Sequence, residues 1–194
     1  MGRAGFVLVG GLSSRMGRDK ALLPFGETTL VEHVARQVAE AAGSVTLVGR
    51  PERYRHLRFS LIPDEFADGG PLGGIHAALA AASAEWNLVI ACDMPAVTGP
   101  FLRELLDEAE TSGCECLAAR SPGGLPEPLC AVYNLACRDS LAAWLASGRR
   151  KASDWLATRR VRWHDTCGDW LRNANTSEEW EEYLHPDSRP KSHE

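Results

Sequence analysis

No stretch of this 194-residue chain approaches the ~20 consecutive apolar residues of a membrane-spanning helix, so none is expected to cross a bilayer in that form. The first apolar run, Phe6 to Val9, is too short for the apolar region of a secretory signal and leads straight into glycines. Positive charge is not in excess: 21 Lys and Arg stand against 26 Asp and Glu, a formal net charge of −5. The chain as a whole therefore has no electrostatic reason to seek nucleic acid or an anionic membrane, and any anion it binds must be held by a local site. Of the six cysteines (Cys92, Cys114, Cys116, Cys130, Cys137 and Cys167) none is spaced C-x-x-C, and Cys114/Cys116 has no matching second pair. A tetrahedral zinc site is not expected. Repeats and low-complexity linkers are missing as well. These absences describe a reduced, cytoplasmic, globular protein, and 44% hydrophobic with 24% charged residues suits one. The length fits a single domain, expected over residues 1–184, with a polar tail over 185–194.

What is present is an alternation of short apolar runs with amphipathic stretches. Strands are expected at Phe6–Val9, Val45–Val48, Phe59–Ile62, Trp86–Cys92, Cys116–Ala119 and Leu129–Tyr133, with Val161–Trp163 extended. Leu30, Val31, Val34, Val38 and Ala41 recur at helical spacing between Thr29 and Ala42, with Gly43 as the stop. Helices are also expected at Pro71–Ala84, Thr98–Glu110 and Leu135–Ala146, and a short one at Asp154–Arg159. A last helix opens at Asn175, where Thr176 and Glu179 have capping-box spacing. Strand–helix alternation over the first 110 residues predicts an α/β fold: a mostly parallel sheet with helices on both faces. Such a sheet places its ligands at the carboxyl ends of its strands.

After the first strand stands Gly10-Gly11-Leu12-Ser13-Ser14-Arg15-Met16-Gly17-Arg18-Asp19-Lys20. It lacks the P-loop pattern, because Gly17 is followed by Arg18, and it lacks G-x-G-x-x-G, because Gly10 and Gly11 are adjacent. Its glycines still let a ligand approach main-chain amides, and Arg15, Arg18 and Lys20 add positive charge, so it reads as a phosphate cradle. Asp64 ends the third strand and Asp93 the fourth, where a carboxylate suits Mg2+. Gly69-Gly70-Pro71-Leu72-Gly73-Gly74 opens a helix whose first N–H groups lack helical partners.

Leu8 to Lys20 closely resembles the L-A-G-G-x-S-x-R-M-G-x-D-K signature of molybdenum cofactor guanylyltransferases. These are nucleotidyltransferases with a Rossmann-like, three-layer, glycosyltransferase-A-like fold. The resemblance continues in order through Ile62-Pro63-Asp64, Gly70 to Gly74, Cys92-Asp93-Met94-Pro95, Glu127 to Tyr133 and Asn173 to Glu179. It implies that Leu8, Val9, Gly10 and Gly11 contact the nucleotide. Asp64, Gly70, Pro71 and Leu72 would complete the GTP site. Lys20 and Arg15 would neutralise the triphosphate, Asp93 would bind Mg2+ and share in catalysis, and Asn173 and Asn175 would reach the pterin side. The implied reaction joins GTP to the phosphate of molybdopterin or its molybdenum form, releasing pyrophosphate. Transient contacts with molybdenum-insertion proteins and apo-molybdoenzymes would follow.

Two positions depart from the signature: Val9 replaces its alanine, and Val48-Gly49-Arg50 lacks an asparagine often found after the second strand. Three other readings are open. A cytidylyltransferase would use CTP, although the Gly10-Gly11 pair and Cys92-Asp93-Met94-Pro95 favour guanine. A sugar-phosphate nucleotidyltransferase would carry a different first loop. A non-catalytic protein that binds GTP and delivers cofactor would have no need of both Lys20 and Asp93.

Overall fold

In a computed structural model the chain is described at residues 2–9, 19–64, 66, 69–166 and 171. Gly10, Gly11, Arg15, Asn173, Asn175, the expected last helix and the 185–194 tail lie outside the described residues.

Among the described residues fifteen α and β elements follow in order: β1 (Arg3–Leu8), β2 (Pro24–Phe25), β3 (Thr28–Thr29), α1 (Leu30–Ala42), β4 (Thr46–Val48), α2 (Pro51–Tyr54), β5 (Ser60–Ile62), α3 (Pro71–Ala81), β6 (Trp86–Ala91), α4 (Gly99–Thr111), β7 (Cys116–Arg120), β8 (Pro126–Asn134), α5 (Cys137–Ala146), α6 (Ala152–Leu156) and β9 (Val161–Asp165). A single 3-10 turn, Lys20–Leu22, precedes β2. Seven strands form one sheet in the spatial order β5-β4-β1-β6-β8-β7-β9, while β2 and β3 make a small hairpin apart from it. Only β8 runs against the rest: it pairs antiparallel with β6 and with β7, and every other pair is parallel.

The period-two alternation of the strands decides the layers. Val7, Leu88, Ile90, Leu117 and Val132 face a core shared with α1 and α4. Phe6, Val89, Ala118, Ala131 and Tyr133 face a second core with α3, α5 and α6. All six residues of β6 are buried, as expected of a central strand covered on both faces. In α1 the apolar residues at helical spacing are the buried ones, Glu32 accepts from the Thr29 amide at 2.9 Å and hydroxyl at 2.7 Å, and Gly43 closes the helix at φ 77°.

Several boundaries move for local reasons. α3 stops at Ala81 rather than Ala84, since Ala82 turns extended and the Ala84 carbonyl accepts from the buried Asn87 amide at 3.0 Å. α5 begins at Cys137 rather than Leu135, because Asn134 Oδ1 accepts from the Ala136 amide at 3.0 Å and shapes a turn first. β8 starts three residues before its expected Leu129, and β9 runs on to Asp165.

Candidate active site

The chain leaves β1, builds β4 and β5 on one side of it, then crosses to build β6 on the other, so the strand order reverses between β1 and β6. Loops must part at such a reversal, and a crevice opens outside the carboxyl ends of the strands. Main-chain bonds keep those ends level: Val9 N–H donates to Val48 O at 2.8 Å, Gly49 N–H to Ile62 O at 3.0 Å, and Cys92 N–H to Leu8 O at 3.1 Å. Leu8, Val9, Asp64 and Asp93 therefore stand along one edge, as the strand assignments require.

On the β6 side of β1 lies a set of charged groups. Asp93 follows β6, and burial pushes its carboxyl above the usual carboxylate range against the pull of the Lys20 ammonium. Lys20 opens the 3-10 turn that follows the first loop, and Asp19 caps that turn by accepting from the Ala21 amide at 3.2 Å. Because β8 runs the other way, its beginning meets the end of β6: the register that pairs Ile90 with Cys130 continues toward Asp93 and Glu127. A bulge in β8 opposite Ala118 and Ala119 adjusts the approach of Glu127. Burial raises the Glu127 carboxyl, the Leu129 amide draws it down at 3.3 Å, and the Asp93 charge raises it further. Among the described residues no cluster of three potential metal ligands forms. Two carboxylates held against their preference for water still suit Mg2+, which takes one or two of them and completes its shell with substrate phosphates.

The other side of β1 is made of glycine and close packing. A Cβ on Gly74 would come within 2.8 Å of the Leu8 side chain, and one on Gly73 within 2.7 Å of the Phe66 carbonyl and 3.1 Å of Asp64 Oδ1. Glycine here lets α3 settle against the end of β1. Gly70, the cap of α3, has φ 56° and ψ −150°, a conformation open to glycine and strained for other residues. Asp64 accepts from the Phe66 amide at 3.0 Å, and burial lifts its carboxyl above the usual range despite that bond and the nearby His76. Leu72 is fully buried, so its side chain belongs to the core, whereas Gly70 and Pro71 are exposed.

The structure thus brings Lys20 and Asp93 together on one side of Leu8 and Val9, and places Asp64, Gly70, Pro71 and Leu72 at the start of α3 on the other. Sequence reasoning placed Glu127 only within a matched string. It assigned nothing to Asp19 or Tyr54, whose hydroxyl donates to Asp19 at 2.7 Å. The Glu127–Asp93 approach follows from the reversed direction of one strand, which no local pattern announces. The Asp19 signal was available, since an aspartate before a short helical turn is a common cap.

Comparison with known proteins covers most of the chain. The family described as "MobA-like NTP transferase domain" matches residues 5–165. The probable molybdenum cofactor guanylyltransferase of Synechococcus elongatus is 34% identical over 190 residues, covering 93% of this chain and 97% of that protein. The protein of the same name from Flavobacterium johnsoniae is 31% identical, covering 78% and 79%. Among solved structures, molybdopterin-guanine dinucleotide biosynthesis protein A from Archaeoglobus fulgidus superposes with a TM-score of 0.79 at 28% identity, covering 95% of this chain and 98% of that one. A nucleotidyl transferase from Methanothermobacter thermautotroptrophicus, 18% identical with a TM-score of 0.73 and covering 94% and 98%, shares the fold. By extent of match and identity, the chain belongs to the MobA-like NTP transferase family.

Proposed function

We propose that this chain transfers GMP from GTP to the terminal phosphate of molybdopterin or its molybdenum form, yielding the pterin guanine dinucleotide and pyrophosphate. The observation that carries the reading is the meeting of Lys20 and Asp93 at the strand-order reversal, with Asp64 and the glycine-built start of α3 across β1. Relatives bearing the guanylyltransferase name over most of the chain support the choice of substrates. No described helix is long and apolar enough to cross a membrane, and the reading places the enzyme in the cytoplasm.

The acceptor is a phosphate monoester, already ionised at neutral pH, so no strong general base is needed. What remains is positioning and charge neutralisation as pyrophosphate departs. Lys20 lies on the Asp93 side and would meet the triphosphate, with Arg15 from the preceding loop. Asp93, with Glu127 facing the same edge, would hold Mg2+, which neutralises phosphate charge when bound. Asp64, Gly70, Pro71 and the main chain of Leu72 would receive the nucleoside, with Leu8, Val9, Gly10 and Gly11 along its other side. Asn173 and Asn175 would serve the pterin side, and the product would pass to apo-molybdoenzymes, with molybdenum-insertion proteins as transient contacts.

The test is single-turnover pyrophosphate release from GTP, Mg2+ and molybdopterin, with CTP as competitor. GTP should be consumed in preference to CTP, and Lys20→Ala and Asp93→Ala should each lose on the order of 10²-fold or more in turnover. Preferred use of CTP would make the chain a cytidylyltransferase. GTP binding without pyrophosphate release would make it a carrier, and wild-type turnover in both variants would remove the assigned chemistry.

A further inference from the structure

The 3-10 turn that begins with Lys20 is three residues long, too short to hold its own orientation. Its fixation comes from elsewhere. The Asp19 carboxylate, in the residue just before Lys20, gathers three partners: it accepts from the Ala21 amide at 3.2 Å and the Tyr54 hydroxyl at 2.7 Å, and it pairs with the Arg53 guanidinium at 3.7 Å. Two of these come from α2, a single helical turn between β4 and β5 with Pro51 in its first turn. Tyr54 is 1% exposed and Asp19 is mostly covered, so their bond is protected from exchange with water. The Cys92 thiol, one residue before Asp93, is half-buried and feels the charges of Asp93, Asp19 and Lys20 together. The brace, the lysine and the aspartate after β6 therefore form one contiguous group.

We propose that Tyr54, acting through Asp19, is a positioning residue that sets Lys20 for the transfer step. This rests on the reading of Lys20 as the cation that meets the triphosphate. A rigid ring packed in the core presents one hydroxyl to one carboxylate oxygen, and the other oxygen fixes the turn through the Ala21 amide. Arg53 places a positive charge beside the oxygen that Tyr54 meets and helps to hold the carboxylate in place. Removing the hydroxyl leaves the fold intact but lets the Asp19 side chain and the turn it caps drift. A small misplacement of a catalytic cation lowers the rate without abolishing binding.

The experiment is a double-mutant cycle on the full chain, with Mg2+, GTP and molybdopterin as substrates and the thermal midpoint as a folding control. Tyr54→Phe keeps the ring and should lower kcat by about tenfold or more with little change in the KM for GTP. In a Lys20→Ala background the same change should cost almost nothing further, because the group it positions is gone. Asp19→Asn, which retains one side-chain oxygen to cap the turn through the Ala21 amide, should keep more activity than Asp19→Ala. An equal loss from Tyr54→Phe in both backgrounds would overturn the proposal, as would an unchanged kcat in Tyr54→Phe. Lys20→Ala at wild-type turnover would remove the functional reading and this inference with it, whereas a strong Lys20→Ala loss with additive Tyr54→Phe would remove the inference alone.

Discussion

Val9 and the segment Val48-Gly49-Arg50 are the two places where the chain departs from the signature it resembles, and the structure joins Val9 to Gly49. Val9 is buried, its side chain lying in the core shared with α1 and α4. A Cβ on Gly49 would come within 2.4 Å of the Val9 carbonyl oxygen and 2.6 Å of its Cγ2. The extra bulk at position 9 is thus accommodated by the absence of any side chain at 49, on the face of the sheet opposite α3. Gly49→Ala should destabilise the protein by about 1–3 kcal/mol, as overpacking does. Val9→Ala in the same chain should recover part of that loss, since it removes the methyl contact but leaves the carbonyl. Thermal unfolding of the two single variants and the double variant checks this. Full recovery in the double variant would mean that the backbone approach is not what excludes a side chain at 49.

Long elements were legible in the sequence and short ones were not, for a physical reason. Seven or more residues of α1 or α4 carry a period that betrays a buried face, and the apolar run of β6 could only be a covered strand. The β2–β3 hairpin and α2, of two to four residues each, carry no period at all. They are held by contacts from elsewhere: Phe25 of β2 packs on His33, and Tyr54 of α2 donates to Asp19. Lys20 and Asp93 could be named because they stand beside a loop and a strand end. Tyr54 and Glu127 could not, because each reaches the site through the path of another element. The segment after Asp93 is a case of the same kind: His33 on α1 donates from Nε2 to the Pro95 carbonyl at 3.1 Å and packs on Phe25 at 4.4 Å between ring centroids. Burial lowers the pKa of His33, against the opposing pull of the Pro95 bond. The unfolded chain therefore takes up the proton more readily than the folded one. The contribution of His33 to stability is complete above its unfolded value of about 6.5 and declines as pH falls below it. Comparing melting midpoints between pH 7 and pH 5.5, the fall should be steeper in wild type than in His33→Gln. Parallel curves would show that His33 does not titrate against the fold.

Across the assembled sheet, the expense of the site is electrostatic. Asp64, Asp93 and Glu127 come from three separate strand ends, and burial raises all three carboxyls above their usual range. For each, the folded state holds a proton more readily than the unfolded chain. Ionisation then works against folding as pH rises through the raised folded value, and the opposition fades as pH falls toward the ordinary carboxylate range of about 4. A fold shared with other nucleotidyltransferases does not require this arrangement, whereas the proposed site for Mg2+ and GTP would. Asp93→Asn should therefore melt a few degrees higher than wild type in the absence of divalent cations at neutral pH, while losing on the order of 10²-fold in turnover. The difference in midpoint should shrink as pH is lowered and Asp93 becomes protonated in wild type. It should shrink again when Mg2+ and GTP are added, because a ligand that binds the folded state alone raises the wild-type midpoint more than that of a variant with a weakened site. Calorimetric scans of both proteins at neutral and acid pH, with and without Mg2+ and GTP, measure each of these differences. An Asp93→Asn protein less stable than wild type under every condition would mean that the carboxylate serves the fold rather than the cation. The assignment of the ion to this edge would then have to be abandoned.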